Sequence, residues 1–496
     1  MTSAWLALMA AALVGQEPSE SVRVGSKTFT ESVILGEMAT QLLDEAAIPA
    51  THRRELGGTR VLFDGLVAGE LDVYPEYTGT ITGEILAGKN IHTDDALRAA
   101  LAERGIRMSP PLGFDDTYAI GMREDVAARL GIRKLSDLRQ HPELKLGFSN
   151  EFMERTDGWP GLRDRYALPQ GDVRGLDHDL AYRAIASGEI DATELYSTDA
   201  EIRAYHLRTL EDDLRFFPPY RCVWLYRADL PARVPEALET LGRLEGRIST
   251  AEMAAMNARA KLDRVTEQQV AVDFLAQKLG IHTKVVVEGR AGRLLRRLRE
   301  HLTLVSLSMA AAIVVAIPLG ILAAYRPGAG SVILAIAGII QTVPSLAMLV
   351  FMIPWLGIGE APAMVALFLY SLLPIVRNTA TGLREIPPSL RESSEALGLP
   401  PLTRLVRIEL PMASRSIMAG IKTAAVINVG TATIGALIGA GGFGQPILTG
   451  LRRNDPRMIL LEGAIPAAVL AMAVQTVLDA IEWLVVPRGL RSDGRS

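Results

Sequence analysis

Residues 70–80 read ELDVYPEYTGT and set two tyrosines, Tyr74 and Tyr77, three positions apart around Pro75 and Glu76. Tyr, Pro and Gly gathered on a turn present an aromatic wall, a surface for holding something more than a packing device. Catalytic chemistry has little to work with. The acids Glu31, Glu76 and Glu151 are scattered, with no nucleophile or metal partner beside them. The seven His form no close pair with metal-ligand spacing, and the single cysteine, Cys222, excludes an intrachain disulfide and a Cys-based zinc site. The chain is therefore not read as an enzyme, and no cofactor or metal is expected.

The elements that must carry that wall are legible around it. Val22–Val24 is a β-branched run turned by Gly25 and Ser26, and a helical period follows through Val33, Ile34, Met38 and Leu42. Leu144 to Asn150 reads as another strand ending in a loop. The segments VLFDGLVAGELDVYPEYTGT (61–80) and LAYRAIASGEIDATELYSTD (180–199) share one order: helix, glycine, acidic residues, strand, tyrosine. The two copies lie 119 residues apart, as Tyr77 and Tyr196 show, and predict two similar α/β lobes. Ligands of open α/β sheets sit beyond the carboxyl ends of the strands. A tyrosine at that end of each copy would point into one shared cleft. Trp159, Trp224 and Cys222 are read as packing residues.

The chain has 496 residues, room for two or three domains. Charged residues make up 22% and the net charge is -4, which gives a nucleic-acid partner no support. Hydrophobic residues are 49% and mean hydropathy is +0.21, high for a purely soluble protein. The average hides a break after His301. Leu302–Tyr325, Pro327–Gly359 and Thr423–Leu451 hold 24, 33 and 29 residues without a charge, and Ala361–Val376 and Gly463–Leu478 hold 16 each. A bilayer core takes about 20 apolar residues per helix, so these runs are expected to be membrane spans. The opening MTSAWLALMAAALVG resembles the core of a secretory signal, although no basic residue precedes it.

The block GSKTFTESVILGE…LGGTRV…GLVAGELDVYPEYTGT…DDTYAIGM…LAYRAIASGEIDATELYSTDA resembles the substrate-binding proteins of osmoprotectant ABC importers, from about Val22 to Gly280. That family binds glycine betaine, carnitine, choline and related quaternary amines. The resemblance implies a two-lobed α/β periplasmic-binding-protein fold (type II) that closes on its ligand. A quaternary ammonium has no N–H to donate, and tyrosine faces attract it through their quadrupoles, about 0.5–2 kcal/mol per desolvated contact. Motif matching implies a cage of Tyr77, Tyr118, Tyr196 and Tyr220, with Tyr77 preferred to Tyr74. It also implies that Lys27, Thr80 and Arg155 meet a ligand carboxylate, Arg155 through its planar fork. The sequence does not separate these ligands from another trimethylammonium compound, such as a betaine of histidine.

The second half resembles betaine permeases from about Leu302 to Val486, and ESSEALGLPPLTRLVRIELP (392–411) resembles the cytoplasmic coupling loop of ABC importer permeases. Glu392, Gly398, Ile408, Leu410 and Pro411 fall in the register of that pattern, while Ser393 and Ser394 replace its two alanines. The implied architecture is an all-α polytopic membrane domain of the binding-protein-dependent ABC permease type. The expected organisation is a signal-like segment (1–20), a binding domain (21–285, second lobe roughly 116–220), a basic amphipathic linker (286–301) and a permease domain (302–488). Five spans put the binding domain outside the cell membrane and the arginine-rich loop around 377–415 inside, in line with the positive-inside tendency. The cluster Arg290, Arg293, Arg296, Arg297 and Arg299 reads as an interfacial helix with Leu294, Leu295 and Leu298 inward. No G-x-x-x-x-G-K-[ST] phosphate loop occurs, so a separate ATPase chain is the expected partner. One permease domain per chain implies a dimer, most simply a homodimer, in membrane lipid. The reading is thus a fused receptor and permease that imports a quaternary ammonium solute; a membrane-anchored ligand sensor is the other class, disfavoured by the coupling-loop register.

Overall fold

A computed structural model describes residues 21–490 except Asn90, His92, Thr156, 284–288 and 453–454, and omits the side chains of Asp179 and Arg452. The signal-like segment 1–20 and residues 286–288 of the expected linker lie outside the described residues. The chain forms two compact units, an α/β unit and a helical unit.

Among the described residues the α/β unit has ten strands: β1 (Val22–Gly25), β2 (Ala50–Arg53), β3 (Val73–Tyr77), β4 (Ile106–Met108), β5 (Tyr118–Arg123), β6 (Leu146–Ser149), β7 (Val173–Leu176), β8 (Ala192–Tyr196), β9 (Leu207–Thr209) and β10 (Cys222–Arg227). They make two five-stranded sheets in the orders β2-β1-β3-β10-β4 and β7-β6-β8-β5-β9. The two orders are equivalent: β3 and β8 each hold the third place, parallel to one neighbour and antiparallel to the other. These are the strands of the two repeated segments. Each follows a helix, Thr59–Ala68 or His178–Ser187, that stops at a left-handed glycine, Gly69 (φ 80°) or Gly188 (φ 79°). Asp72 and Asp191 then do the same work in each copy, accepting the backbone N–H of Arg23 and of Lys145, both at 2.9 Å. The chain passes between the sheets after β4 and again after β9, and an antiparallel bridge joins Asp115 to Arg221 at these crossings. Trp224 and Cys222 are buried core residues, as is Trp159, whose ring lies 5.2 Å from that of Phe148.

In the helical unit, Arg290–Tyr325 is one helix of 36 residues. The basic segment is thus the start of the first long apolar helix and not a separate interfacial one. Arg, Leu and Glu are good helix formers, no proline lies between Arg290 and Leu302, and Gly292 falls in the first turn. Several of the charges are met by acids: Arg293 pairs with Glu462 at 2.8 Å, and Arg296 and Arg297 pair with Glu300. Leu294 and Leu298 pack on the core of the unit, but Leu295 is 68% exposed. The second uncharged run is broken. Helices Pro327–Thr342 and Ser345–Leu356 meet at 99°. Pro344 lacks an N–H and disfavours helical angles in the residue before it, and Val343 is accordingly extended (ψ 127°). The Tyr370 hydroxyl donates to the Val343 carbonyl at this bend.

Among the described residues, Glu360–Arg384, Pro401–Ile438 and Pro456–Val485 complete four helices long and apolar enough to cross a membrane, or five spans if the bent pair counts as one. The run Thr423–Leu451 is not one span. The helix that holds its first part ends at Ile438. Gly439, Gly441 and Gly442 turn the chain with φ between 76° and 78°, and a short helix, Gly444–Arg452, follows.

Candidate ligand-binding cleft

Tyr118 opens β5 and Tyr196 closes β8, and the antiparallel register sets them side by side. Their ring centroids are 5.0 Å apart and their hydroxyls 3.4 Å. Tyr220, in the returning crossover, meets Tyr118 edge-on at 5.2 Å. Phe152 and Phe217 complete the group, 5.2 and 6.1 Å from Tyr118. The sequence did not mark out either phenylalanine, although each stands close to a residue that it did, Phe152 to Arg155 in NEFMERTDGWPGL and Phe217 to Tyr220 in FFPPYR.

Three of the four expected tyrosines therefore cluster. Tyr77 stands apart on the other lobe, at the end of β3. Its ring lies 6.2 Å from Phe29, and its hydroxyl donates to Glu31 at 2.5 Å. The turn after it reaches the cluster: a Cβ at Gly79 would lie 2.5 Å from the Tyr220 ring, so only glycine lets loop and ring touch. Thr80 follows in this turn and is buried. Tyr74 is fully buried within β3 and donates to Glu76.

The expected cationic contacts are occupied by protein acids. Lys27 is buried, with its ammonium 2.5 Å from Glu76 and 3.0 Å from the Thr59 hydroxyl. Arg155 forks onto Asp157 through Nε and Nη2, at 2.8 and 2.6 Å, and reaches Glu84 through Nη1 at 3.0 Å. Asp157 also accepts from the Tyr220 hydroxyl at 2.6 Å. Burial pushes the Asp157 carboxyl up, but the bonds and charge of Arg155 outweigh it and hold the group below its usual range. Glu84 belongs to the first lobe, so Arg155 ties the lobes together.

Behind the aromatic group His178 sits between Glu194 and Asp199, at 3.1 and 3.3 Å, with its ring 4.7 Å from that of Tyr196. Burial alone would lower its pKa. Bonds to Asp199 and Glu194 raise it well above the ordinary value instead, so the imidazolium form is favoured. Glu31, Thr198, Asp116 and Asn257 form a further buried network, in which Thr198 bridges Glu31 and Asp116. Burial raises the pKa of both acids; for Asp116 the negative charges of Glu31 and Asp199 add to it.

In the helical unit, residues 392–411 form a helix–turn–helix. Pro388–Ala396 ends at Gly398 (φ 69°), and Pro401–Arg404 leads into Leu410–Ala432. Glu392 is exposed, Ile408 is half-buried, Leu410 packs on the unit's core, and Pro411 sits in the first turn of the following helix. Glu409, 1% exposed, lies 3.5 Å from Arg404 and 3.9 Å from Arg391, within ion-pair distance of both limbs but hydrogen-bonded to neither. Leu397 and Leu402 are left exposed on the turn.

Residues 20–277 match the substrate binding domain of ABC-type glycine betaine transport systems. Residues 316–489 match the binding-protein-dependent transport system inner membrane component. The choline transport system permease protein OpuBB of Bacillus subtilis is 42% identical over 211 residues, 42% of this chain and 96% of that protein. The ergothioneine transport permease/ergothioneine binding protein EgtU of Helicobacter pylori is 30% identical over 263 residues, 52% of this chain and 47% of that protein. A solved glycine betaine/carnitine/choline ABC transporter structure is 29% identical, covering 52% of this chain and 98% of its own, with a TM-score of 0.46. The α/β unit thus has a two-lobed binding-protein fold, and the helical unit is a multi-pass inner-membrane permease whose class works with an ATPase on a small-molecule substrate. With over half of its length matched, the chain belongs to the family of substrate-binding domains of ABC-type glycine betaine transport systems, fused here to a permease domain on one polypeptide.

Proposed function

We propose that this chain captures a quaternary ammonium solute of the glycine betaine, choline or carnitine class and forms the path by which it crosses the membrane. The aromatic group of Tyr118, Tyr196 and Tyr220 at the lobe junction is the observation that carries the ligand class. Aromatic faces hold a permethylated cation that hydrogen bonds cannot grip. Tyr77 and Thr80 contribute from the opposite lobe through the turn that touches Tyr220. The names of the permease relatives, choline and glycine betaine/carnitine/choline systems, support the same class. Lys27 and Arg155 shape the site while held by Glu76, Asp157 and Glu84.

The α/β unit faces outward as the receptor, and the helical unit docks a separate ATPase subunit through residues 392–411. Glu392, Gly398, Ile408, Leu410 and Pro411 set the shape of that dock, and exposed Leu397 and Leu402 supply apolar surface for it. Two such chains in membrane lipid would make the two permease halves. The domains run 21–285 and 302–488, with the second lobe at roughly 116–220; the arginine-rich stretch before Leu302 belongs to the first membrane helix.

Calorimetry on the purified full chain tests this with choline, glycine betaine, carnitine and a histidine betaine. Micromolar binding of at least one, lost with Tyr118→Ala, is the expected result. No heat from any of them would overturn the assignment.

A further inference from the structure

Glu31 is the second residue of the helix Thr30–Glu45 and only 3% exposed. Its Oε1 accepts the Tyr77 hydroxyl at 2.5 Å; its Oε2 accepts Thr198 Oγ1 at 2.6 Å and Asn257 Nδ2 at 2.9 Å. All these donors are neutral. Among the described residues no Lys, Arg or His makes an ion pair with it. A buried carboxylate without a counter-ion is costly, and here three donors and the first turn of its own helix meet the charge.

The network fixes where that charge resides. The Thr198 hydroxyl has one proton but lies 2.6 Å from Glu31 and 2.7 Å from Asp116 Oδ1. It can donate to only one of them, so one carboxyl must carry a proton and donate to Thr198. Glu31 already has Tyr77 and Asn257 as donors, while among the described residues Asp116 has beside Thr198 Oγ1 only the Thr198 backbone N–H, at 3.3 Å. The proton therefore belongs to Asp116, and the chain of donors runs Asp116 to Thr198 to Glu31. Glu31 keeps the negative charge and turns it toward Tyr77.

We propose that Glu31 is a specificity-determining positioning residue: by accepting the Tyr77 hydroxyl proton it pushes electron density into that ring and deepens the negative face offered to a cationic ligand. A phenol bonded to a carboxylate has a more electron-rich face than a free phenol, and the quadrupole attraction scales with that density. The ring already stands near one cation, the Lys27 ammonium, 5.7 Å from its centroid. The effect selects charge and not shape. It favours a trimethylammonium group over an uncharged tert-butyl group of the same size. The inference rests on the reading of Tyr77 as a ligand wall.

The test uses the full chain in detergent, with choline and its neutral carbon isostere 3,3-dimethylbutan-1-ol, the weaker ligand being measured by competition. Glu31→Gln keeps the size of the side chain but removes the charge, and with its carbonyl toward Thr198 and Asn257 it turns an N–H toward Tyr77, so the ring loses its acceptor as well. It should weaken choline about three- to tenfold and the isostere less than about twofold. Tyr77→Phe, which cuts the link while keeping the ring, should cost choline the same factor. Adding Glu31→Gln to Tyr77→Phe should cost nothing more. Equal losses for choline and the isostere, or a fully additive double variant, would overturn the proposal. Should Glu31→Gln fail to fold, the choline-to-isostere ratio in Tyr77→Phe decides alone: a ratio unchanged from the parent overturns it. If Tyr77→Ala leaves choline binding intact, the ligand-wall reading itself fails, an outcome distinct from a silent Glu31→Gln beside a damaging Tyr77→Ala.

Discussion

Arg155 binds an acid on each lobe, Asp157 on its own and Glu84 on the other, and this makes its loss a test of lobe closure. Glu84→Gln removes the cross-lobe pair without touching a ligand group. It should weaken choline and glycine betaine by the same factor, about two- to fivefold, as expected for a partly exposed ion pair of about 0.5–1 kcal/mol. A loss confined to glycine betaine in calorimetry would show that Arg155 serves the carboxylate and that Glu84 only orients it. Asp116 gives a pH signature. Burial, reinforced by Glu31 and Asp199, raises its folded pKa above the ordinary aspartate value. The folded state then holds a proton that the unfolded state has released, so this group's stability contribution is full below the unfolded pKa and is lost as pH rises through the folded one. Thermal unfolding of the α/β unit should therefore show a stability loss that begins near pH 4, and Asp116→Asn should flatten it. An unchanged pH slope in that variant would place the proton elsewhere. The grouping of Tyr118, Tyr196 and Tyr220 was legible because each sits within a motif that the sequence marks out. The acids that hold Lys27 and Arg155 were not, because each pairing joins positions far apart in the chain: Glu76 lies 49 residues from Lys27, and Glu84 lies 71 from Arg155.

At the scale of elements, the repeated segments were readable because a helix stop, an acid and a strand are local signals. Gly69 and Gly188 have nearly the same φ, and β3 and β8 take equivalent places in their sheets. The membrane half was less legible. An uncharged run shows that a segment is apolar and says nothing about where it bends. The 33-residue run Pro327–Gly359 holds a 99° break at Pro344, and the 29-residue run Thr423–Leu451 holds a glycine turn. The breaker residues were visible, but in a membrane a helix break is tolerated if a neighbour satisfies the carbonyl left outside the helix, here that of Val343. That neighbour, Tyr370, is known only from the fold. Tyr370→Phe should leave the Val343 carbonyl unsatisfied and cost about 1–3 kcal/mol in the stability of the helical unit. Thermal unfolding in detergent should show a lower midpoint for that unit while choline binding stays the same. A midpoint equal to the parent's would mean that the bend holds itself through Pro344 alone.

For the molecule as a whole, two compact units on one chain predict that capture and coupling can be damaged separately. Tyr196 lies in the aromatic group of the α/β unit, and on the proposed reading its loss removes a cation–π face worth about 1–2 kcal/mol, near tenfold in affinity. Gly398 lies in the helix–turn–helix of the helical unit at φ 69°, and a Cβ there meets nothing within 4 Å. Gly398→Val therefore acts through the backbone alone, since a β-branched residue pays about 1–2 kcal/mol or more to hold left-handed angles. The turn would relax and move Leu397 and Leu402 away from the geometry that an ATPase surface must meet. In proteoliposomes that contain the chain with its ATPase, Tyr196→Ala should raise the half-saturating ligand concentration about tenfold while the maximal uptake rate is kept. Gly398→Val should do the reverse: the maximal rate and the ligand-stimulated ATP hydrolysis fall, while half-saturation and calorimetric affinity stay at the parent values. The double variant should show both defects with no further loss, since sites with no shared partners add. If Gly398→Val instead weakens ligand binding, the two units are coupled at equilibrium and the turn reports on the cleft. If it leaves stimulated hydrolysis untouched, residues 392–411 do not dock the ATPase, and a ligand sensor becomes the better account of the same chain.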